Sequence, residues 1–514
     1  MKTKFIFSLL LVVGLTSCEK TDFDDPLTLT NAEASAQIKD LGLRLTNSAV
    51  QDAMFIPSYY SGGVFISCWA DQITTTNGTG RWWDASEEPR MQYSNSQSYG
   101  AYGGMDIFYS YLYQANLDAT TVTDIIVKQN KTVTSTTGVD RTKDCLAAAY
   151  FAKGVSQGYL GSIFDRGIIV DELGMSKREF DASYKQLIEN GVAQLDLAIA
   201  AANSNSNWNF DFIPGNTISK AQFIQICNSF AARFLASIPR SKAEAAALGN
   251  TFWNRVHTYA AAGMSTDFTT VYVTDGVGNY TQSYGFLHLG SGSDYLPVDI
   301  KVAWMADKTG TYPNKYPTTN AVLGPVITDD ARFNQYFYYT TDFGYLNPSR
   351  NRKLFSNYGR DRWDNVDNWL FEPGAVSPWI LAEEMRFLKA EAKMWTGDYA
   401  AAAALLNDAS ARRRSVGTLP GNIASTETAV RNTLHYEYSI EIDLAGGSTN
   451  PWAFMRRNDL LQSGTPTEVP IPAGQLDLLL IPNYTFGGKA NAGQLGKFGE
   501  VATASLTSGW KVSE

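Results

Sequence analysis

Residues 379–395 and 399–414 are Ala-rich stretches of helical period separated only by Thr396-Gly397-Asp398. A connection this short keeps the two helices as packed neighbours, which limits the architecture more than any other feature of the chain. Met385, Leu388, Ala392 and Trp395 line the first helix, and Ala402, Leu405, Leu406 and Ala409 line the second. Arg412, Arg413 and Arg414 are expected to close the second helix, where cations favour the negative end of the helix dipole. The same periodicity recurs along the chain. In residues 143–164 the row Leu146, Tyr150, Gly154, Gly158, Gly161 sets small residues where another helix can approach closely. Residues 181–202 place Tyr184, Leu187, Ile188, Val192, Leu195 and Ile199 on one stripe. Ser219 is an N-cap candidate for a helix ending before Pro239, and residues 243–262 read as one helix closed by Gly263. A further pair covers residues 427–444 and 451–461.

Four helix pairs result, at 143–202, 219–262, 379–414 and 427–461. The segment AEAKMWTGDYAAAAALLNDA has the Gly-Asp-Tyr turn and spaced alanines of a tetratricopeptide unit. Such a unit cannot bury its apolar stripe alone and must stack on neighbours. The expected fold is therefore mainly α, with tetratricopeptide-like helical hairpins forming a scaffold; an irregular α-bundle is the alternative. Two regions differ in kind. Residues 57–104 and 265–378 are rich in Gly, Asn, Thr, Ser, Tyr and Trp and read as long loop excursions, which in a compact domain are usually functional. Thr269 to Val273 and Phe337-Tyr338-Tyr339 predict small strands within the second.

Composition removes several classes of function. The 44% hydrophobic content excludes a disordered chain, and a net charge of −9 argues against nucleic acid as a partner, because phosphate neutralisation needs a basic surface. His257, His288 and His435 are too widely spaced for a short metal motif, so no metal and no cofactor are expected. No Gly-x-Ser-x-Gly elbow, P-loop or His-Glu-x-x-His is present. Glu383 and Glu384 diverge if they lie on a helix, so they cannot by themselves form a facing carboxylate pair. The chain reads as a binding protein rather than an enzyme, with a glycan hydrolase as the alternative from another class. Cys145 and Cys227 fall in apolar helical patterns and are expected to be buried.

At the N-terminus, Lys2 and Lys4 precede the apolar run FIFSLLLVVGL, too short to span a membrane and laid out as a secretory signal. Leu15-Thr16-Ser17-Cys18 then resembles a bacterial lipobox, which makes Cys18 the candidate lipidated residue. The expected organisation is a signal peptide at 1–17, an acidic tether at 18–31 carrying Glu19, Asp22, Asp24 and Asp25, and one domain at 32–514. With an acidic tether, anchoring must come from the acyl chains rather than from a basic patch on anionic lipid.

The excursions hold the candidate ligand contacts. A sugar ring has an apolar face that an aromatic side chain covers and a hydroxyl rim that Asn, Asp, Gln or Arg can bond. Trp69 has Asp71 and Gln72 beside it; Trp82 and Trp83 have Arg81 and Asp84. Tyr99 and Tyr102 can extend the same platform. In the second excursion Tyr312 and Tyr316 alternate with Pro313, Asn314 and Lys315, and Trp363 and Trp369 bracket Asp364, Asn365, Asp367 and Asn368. Trp82 and Trp83, if extended, point to opposite faces and are not both expected in the core. Trp379, Trp395 and Trp452 lie on helical stripes and read as structural.

Taken in order, these motifs resemble the SusD/RagB family of Bacteroidetes outer-membrane lipoproteins. The run Leu381-Ala382-Glu383-Glu384 through Lys389-Ala390-Glu391-Ala392, then Gly397-Asp398 and an Arg-rich end, is similar to the family's most recognisable hairpin. Glu437, Glu441, Trp452, Arg456-Arg457 and Pro470-Ile471-Pro472 follow the order of its C-terminal block. Phe164-Asp165-Arg166 and the Gly446 to Asn450 insertion depart from the pattern and mark a divergent branch. The resemblance implies a non-catalytic, cell-surface lipoprotein of the outer membrane that captures oligosaccharides, or in some branches peptides. It further implies a TonB-dependent, SusC-like transporter as partner, with the helical repeats facing the transporter and the loops holding ligand.

Overall fold

The computed structural model describes residues 31–55, 60–75, 82–87, 90, 93–99, 102–173, 180–213, 215–271, 296–314, 322–341, 356–363, 376–446, 449–462 and 464–491. It is mainly helical. The principal helices are α1 (Asn31–Phe55), α2 (Tyr60–Trp69), α3 (Tyr102–Thr123), α4 (Thr142–Ile163), α5 (Tyr184–Ser204), α6 (Lys220–Ala236), α7 (Gly249–Ala261), α8 (Ala382–Trp395), α9 (Tyr399–Asn407), α10 (Glu427–Ile440) and α11 (Thr449–Arg457). Each packs on its neighbours in sequence: α1 and α3 on α4, α4 on α5, α5 on α6, α6 on α7, α7 on α8, and α8 on α9 and α10. From α10 the chain passes to α11, which packs back against α2. This is the stacking that isolated hairpins need in order to cover their apolar stripes.

The contact of α4 with α5 is the most extensive, and its closeness rests on glycine. A Cβ at Gly191 of α5 would lie 2.8 Å from the carbonyl oxygen of Gly154 and 2.9 Å from the amide nitrogen of Gly158, so the two backbones touch. A Cβ at Gly158 would strike the ring of Phe234 on α6, which bears on α4 at that point. Helix starts are capped as the residue types suggest. Ser183 and Gln186 form a reciprocal capping box at α5, and Ser219 accepts from the Gln222 amide at α6.

Several boundaries differ from the periodicity; the pair read at 427–444 and 451–461, for example, is Glu427–Ile440 and Thr449–Arg457. Residues 243–262 are two helices, Lys242–Ala247 and α7, because Gly249 takes a left-handed φ of +69° and interrupts the first. The helix that begins at Tyr399 ends at Asn407 instead of running to residue 414. The Asp408 carboxylate accepts from the Ser410 amide (2.8 Å) and holds a turn, and the arginines form a separate turn, Arg412–Ser415. Of the three, only Arg414 reaches back to the end of α9, donating to the Asn407 carbonyl at 2.7 Å. Trp379 is buried in a strand, Val376–Ile380, and not on a helix.

The first excursion is less loop-like than its composition suggests. It contains α2, whose Val64, Phe65, Ile66, Cys68 and Trp69 are buried, and the helical turn Trp82–Ser86. The second leaves and rejoins the scaffold side by side, since Phe268–Val271 pairs antiparallel with Val376–Ile380. Inside it, Phe337–Tyr339 pairs with Tyr358–Arg360, as the alternating aromatic run predicts for its first strand. It has a small core of its own, built from Val298, Ile300, Val302, Phe333, Phe337 and Tyr358 and touching Ile440 of α10. Cys68, Cys145 and Cys227 are free and buried. Among the described residues no helix is long and apolar enough to cross a membrane, and no cluster of His, Cys, Asp or Glu is arranged to hold a metal ion.

Candidate ligand-binding surface

The turn carrying Trp82 and Trp83 is fixed by one arginine. Arg90 donates to the Ala85 carbonyl (2.7 Å) and to Thr465 Oγ1 (3.0 Å), and forms an ion pair with Asp71 just past the end of α2. Asp71 adopts a positive φ of 52°, which turns the chain there. Ser86 Oγ lies 3.2 Å from Cys68 Sγ and accepts from the Thr75 amide, closing the turn onto α2. Burial pushes the Cys68 thiol up to about 12, so it is held protonated and inert. Behind the turn, Lys301 is fully buried and donates to the Ala70 carbonyl at 2.9 Å; burial lowers its pKa to about 8.

This frame separates the expected contacts. Trp69, Trp82 and Asp84 are buried, as is Tyr312, so the ring faces expected of Trp69, Trp82 and Tyr312 are covered by protein. Trp69 packs edge-on against Tyr93 (5.9 Å), and Tyr93 edge-on against Tyr99 (5.8 Å). Tyr99 is half-buried and donates its hydroxyl to Asp84 Oδ2 at 2.8 Å, so Trp69, Tyr99 and Asp84 do come together, around an internal aromatic cluster. Trp82 and Trp83 lie in a helical turn rather than an extended segment; Trp82 turns inward and Trp83 stays half-buried. Tyr312 donates to the Gly324 and Ser356 carbonyls at 2.9 and 2.8 Å, which makes it a pin for its own excursion. Tyr102 starts α3. Arg81, Tyr316 and Trp369 lie outside the described residues, as does Cys18.

Trp363 is half-buried and is held by a residue the sequence did not single out. The guanidinium of Arg362 lies 4.6 Å from the Trp363 ring centre and 3.9 Å from that of Tyr336. Arg362 is itself fastened to Glu441, by 2.5 Å to its carboxylate and 2.7 Å to its carbonyl. An arginine adjacent to a tryptophan is visible in sequence, but its tie to a carboxylate 79 positions away is not. Tyr93 was missed in the same way, standing in a polar run whose fold onto α2 has no local signature. Trp83 in the first excursion and Trp363 in the second are each half-buried, so each leaves part of its ring uncovered by the described residues. Such rings suit the apolar face of a pyranose or a similar flat ligand.

No family model and no curated protein matches the chain. Solved structures do match in shape. A SusD superfamily protein from Parabacteroides distasonis aligns with a TM-score of 0.55 at 12% identity, covering 86% of this chain and 91% of that one. A SusD-like carbohydrate binding protein from Bacteroides vulgatus aligns at 0.54 and 14% identity, covering 84% of each chain. Surface glycan-binding protein A from Bacteroides uniformis aligns at 0.52 and 11% identity, covering 80% of this chain and 86% of its own. The chain thus has the SusD-like fold.

Proposed function

We propose that the protein is a non-catalytic surface lipoprotein that binds nutrient oligosaccharides and delivers them to a TonB-dependent outer-membrane transporter. In this reading Cys18 carries the lipid, residues 18–31 are the tether and residues 32–514 form the binding domain. The observation that carries it is the likeness in fold to structures named as carbohydrate-binding and glycan-binding proteins. Half-buried Trp83 and Trp363, one on each excursion, supply the ring faces such a ligand needs, and the helical stack leaves an extended scaffold for a partner. Trp82 and Asp84 act from behind, by holding Trp83 and Tyr99 in place.

The test is titration calorimetry of the purified domain with a panel of plant, host and microbial glycans and short peptides. A glycan is expected to bind, and Trp83→Ala with Trp363→Ala to weaken it about tenfold or more, the scale of one or two lost ring contacts. Binding confined to peptides, or glycan binding indifferent to both substitutions, would remove the ligand or the site from this reading. Release of hydrolysis products from the same glycans would replace it with the enzymatic one.

A further inference from the structure

A recess that none of the aromatic candidates lines lies between α3, residues 168–173 and the short helix Ala473–Leu478. Tyr109, Tyr113 and Leu117 supply its α3 wall, spaced by four residues and so on one helix face. Both other walls are pinned to α3. The Tyr113 hydroxyl accepts from the Ile168 amide at 2.5 Å and donates to the Ile168 carbonyl at 3.1 Å, and Thr120 Oγ1 donates to the Val170 carbonyl at 3.2 Å. From the short helix, Gln475 Nε2 donates to Asp106 Oδ1 at 3.1 Å and to Ser110 Oγ at 3.2 Å. The hollow is therefore held open by hydrogen bonds on either side of it.

Its surface is apolar and open. Leu117, Leu173 and Leu478, which line it, are 44%, 40% and 76% exposed. One exposed leucine needs no explanation, but three around a single hollow make a patch that gains by being covered. The volume is about 240 Å³, and an apolar cavity of about 150 Å³ already holds a benzene ring. The tyrosine hydroxyls are not on offer to an occupant: that of Tyr113 is taken up by Ile168, and that of Tyr109 is closed to solvent. A sugar would give up hydration of its hydroxyls here for little in return. Charge narrows the choice further. Glu172 lines the recess, is exposed, and has no ion pair or hydrogen bond among the described residues. No lysine or arginine stands among the described lining residues, and Asp106 lies one hydrogen bond behind Gln475. A carboxylate or an anionic lipid would meet like charge, whereas a cation would be attracted.

We propose that this recess binds a small aromatic amine, its ring against Tyr109, Tyr113 and Phe180 and its ammonium beside the Glu172 carboxylate. The ring follows from the walls. Tyr109 already packs at 4.7 Å from Tyr113 and edge-on at 6.3 Å from Phe180, and a further ring adds aromatic contacts beyond the area it buries. The site is distinct from the aromatic surface of the excursions and stands whether or not that surface binds glycans.

Ligand-observed NMR titration of the purified protein with phenethylamine, 2-phenylethanol, 3-phenylpropionate and methylamine tests it. Phenethylamine is expected to bind. The uncharged 2-phenylethanol, of the same size, should bind about threefold to fivefold more weakly, the scale of an exposed ion pair, and 3-phenylpropionate more weakly still. Methylamine, which lacks the ring, should not bind. Glu172→Gln should bring phenethylamine down to the level of 2-phenylethanol, and Leu117→Trp, by filling the recess, should weaken both about tenfold. Both altered side chains are exposed, so neither variant threatens the fold. Trp83→Ala with Trp363→Ala should leave phenethylamine binding unchanged, which separates this site from the glycan surface. No binding of phenethylamine, equal binding of 2-phenylethanol by the wild type, a preference for 3-phenylpropionate, or full binding by Leu117→Trp would overturn the proposal.

Discussion

Glu383 and Glu384, adjacent in sequence, end in different environments. Glu384 accepts from Nε and one terminal nitrogen of Arg233, at 2.7 and 2.6 Å, inside the scaffold, while Glu383 pairs with Arg386 at 3.1 Å. Successive helix positions point about 100° apart, and that alone disposes of a facing pair of catalytic carboxylates. Trp82 and Trp83 divide between interior and surface for the same reason. Environment also decides protonation. At Asp52 on α1, burial and then the neighbouring charge of Asp118 raise the carboxyl from 3.8 to about 7. The folded state then keeps a proton that the unfolded state gives up, so stability falls as pH rises from about 4 to about 7. Asp52→Asn removes that slope, and the variant should gain on the wild type steadily across this window. Melting temperatures measured every half unit decide it; two parallel curves would contradict the assignment.

At the scale of elements, the α4–α5 pair is held at a distance set by Gly154, Gly158 and Gly191. The row of small residues on α4 was legible as a place for close approach, but its counterpart Gly191 lies within an otherwise ordinary apolar stripe. Its role appears only when the helices are placed face to face. Gly191→Ala inserts a methyl against backbone atoms of α4, at 2.8 and 2.9 Å, which no side-chain rotation relieves. Separating the helices is expected to cost about 1–3 kcal/mol in urea denaturation, in spite of alanine's better helix propensity. A neutral or stabilising result would mean that the helices are not in backbone contact. Helix ends show the same division. Caps such as Ser183 and Ser219 are written locally, as is the Asp408–Ser410 turn after α9, whereas the carboxylates that Arg412 and Arg413 meet are not.

At the scale of the molecule, the second excursion is tied to the scaffold by buried charge. Glu437 on α10 and Glu441 at its C-terminal cap are fully buried and meet arginines from three stretches of chain. Arg332 reaches Glu437 at 2.7 Å and Glu441 at 3.1 Å while also holding Asp330 at 2.7 Å. Arg412, at 3.0 Å, and Arg362, at 2.5 Å, converge on Glu441, and Arg413 reaches Glu437 at 3.3 Å. Burial pushes the Glu441 carboxyl up, but Arg362, Arg332 and Arg412 outweigh it and leave the carboxyl below its usual range. Because Arg362 also stacks on Trp363, this network joins the proposed ligand surface to the helical repeats. Arg332→Met would strand buried carboxylates and is expected to cost about 3–5 kcal/mol. Arg332→Lys would recover little, since one ammonium cannot serve three carboxylates in a plane. A loss under about 1 kcal/mol by denaturant titration would show that the network is not what attaches the excursion.

Helical period, cap residues and short turns are local properties, so the sequence alone pointed to packed α-hairpins between residues 143 and 461, while α1 and α2 went unread. It also marked both aromatic excursions and two of their small strands. Which tryptophan faces outward was decided only in three dimensions. Trp69, Trp82 and Tyr312 have the same residue chemistry as Trp83 and Trp363, and only contacts with distant segments cover them. Ion pairing is likewise a long-range choice, because an arginine's partner is whichever carboxylate the packed helices bring within reach.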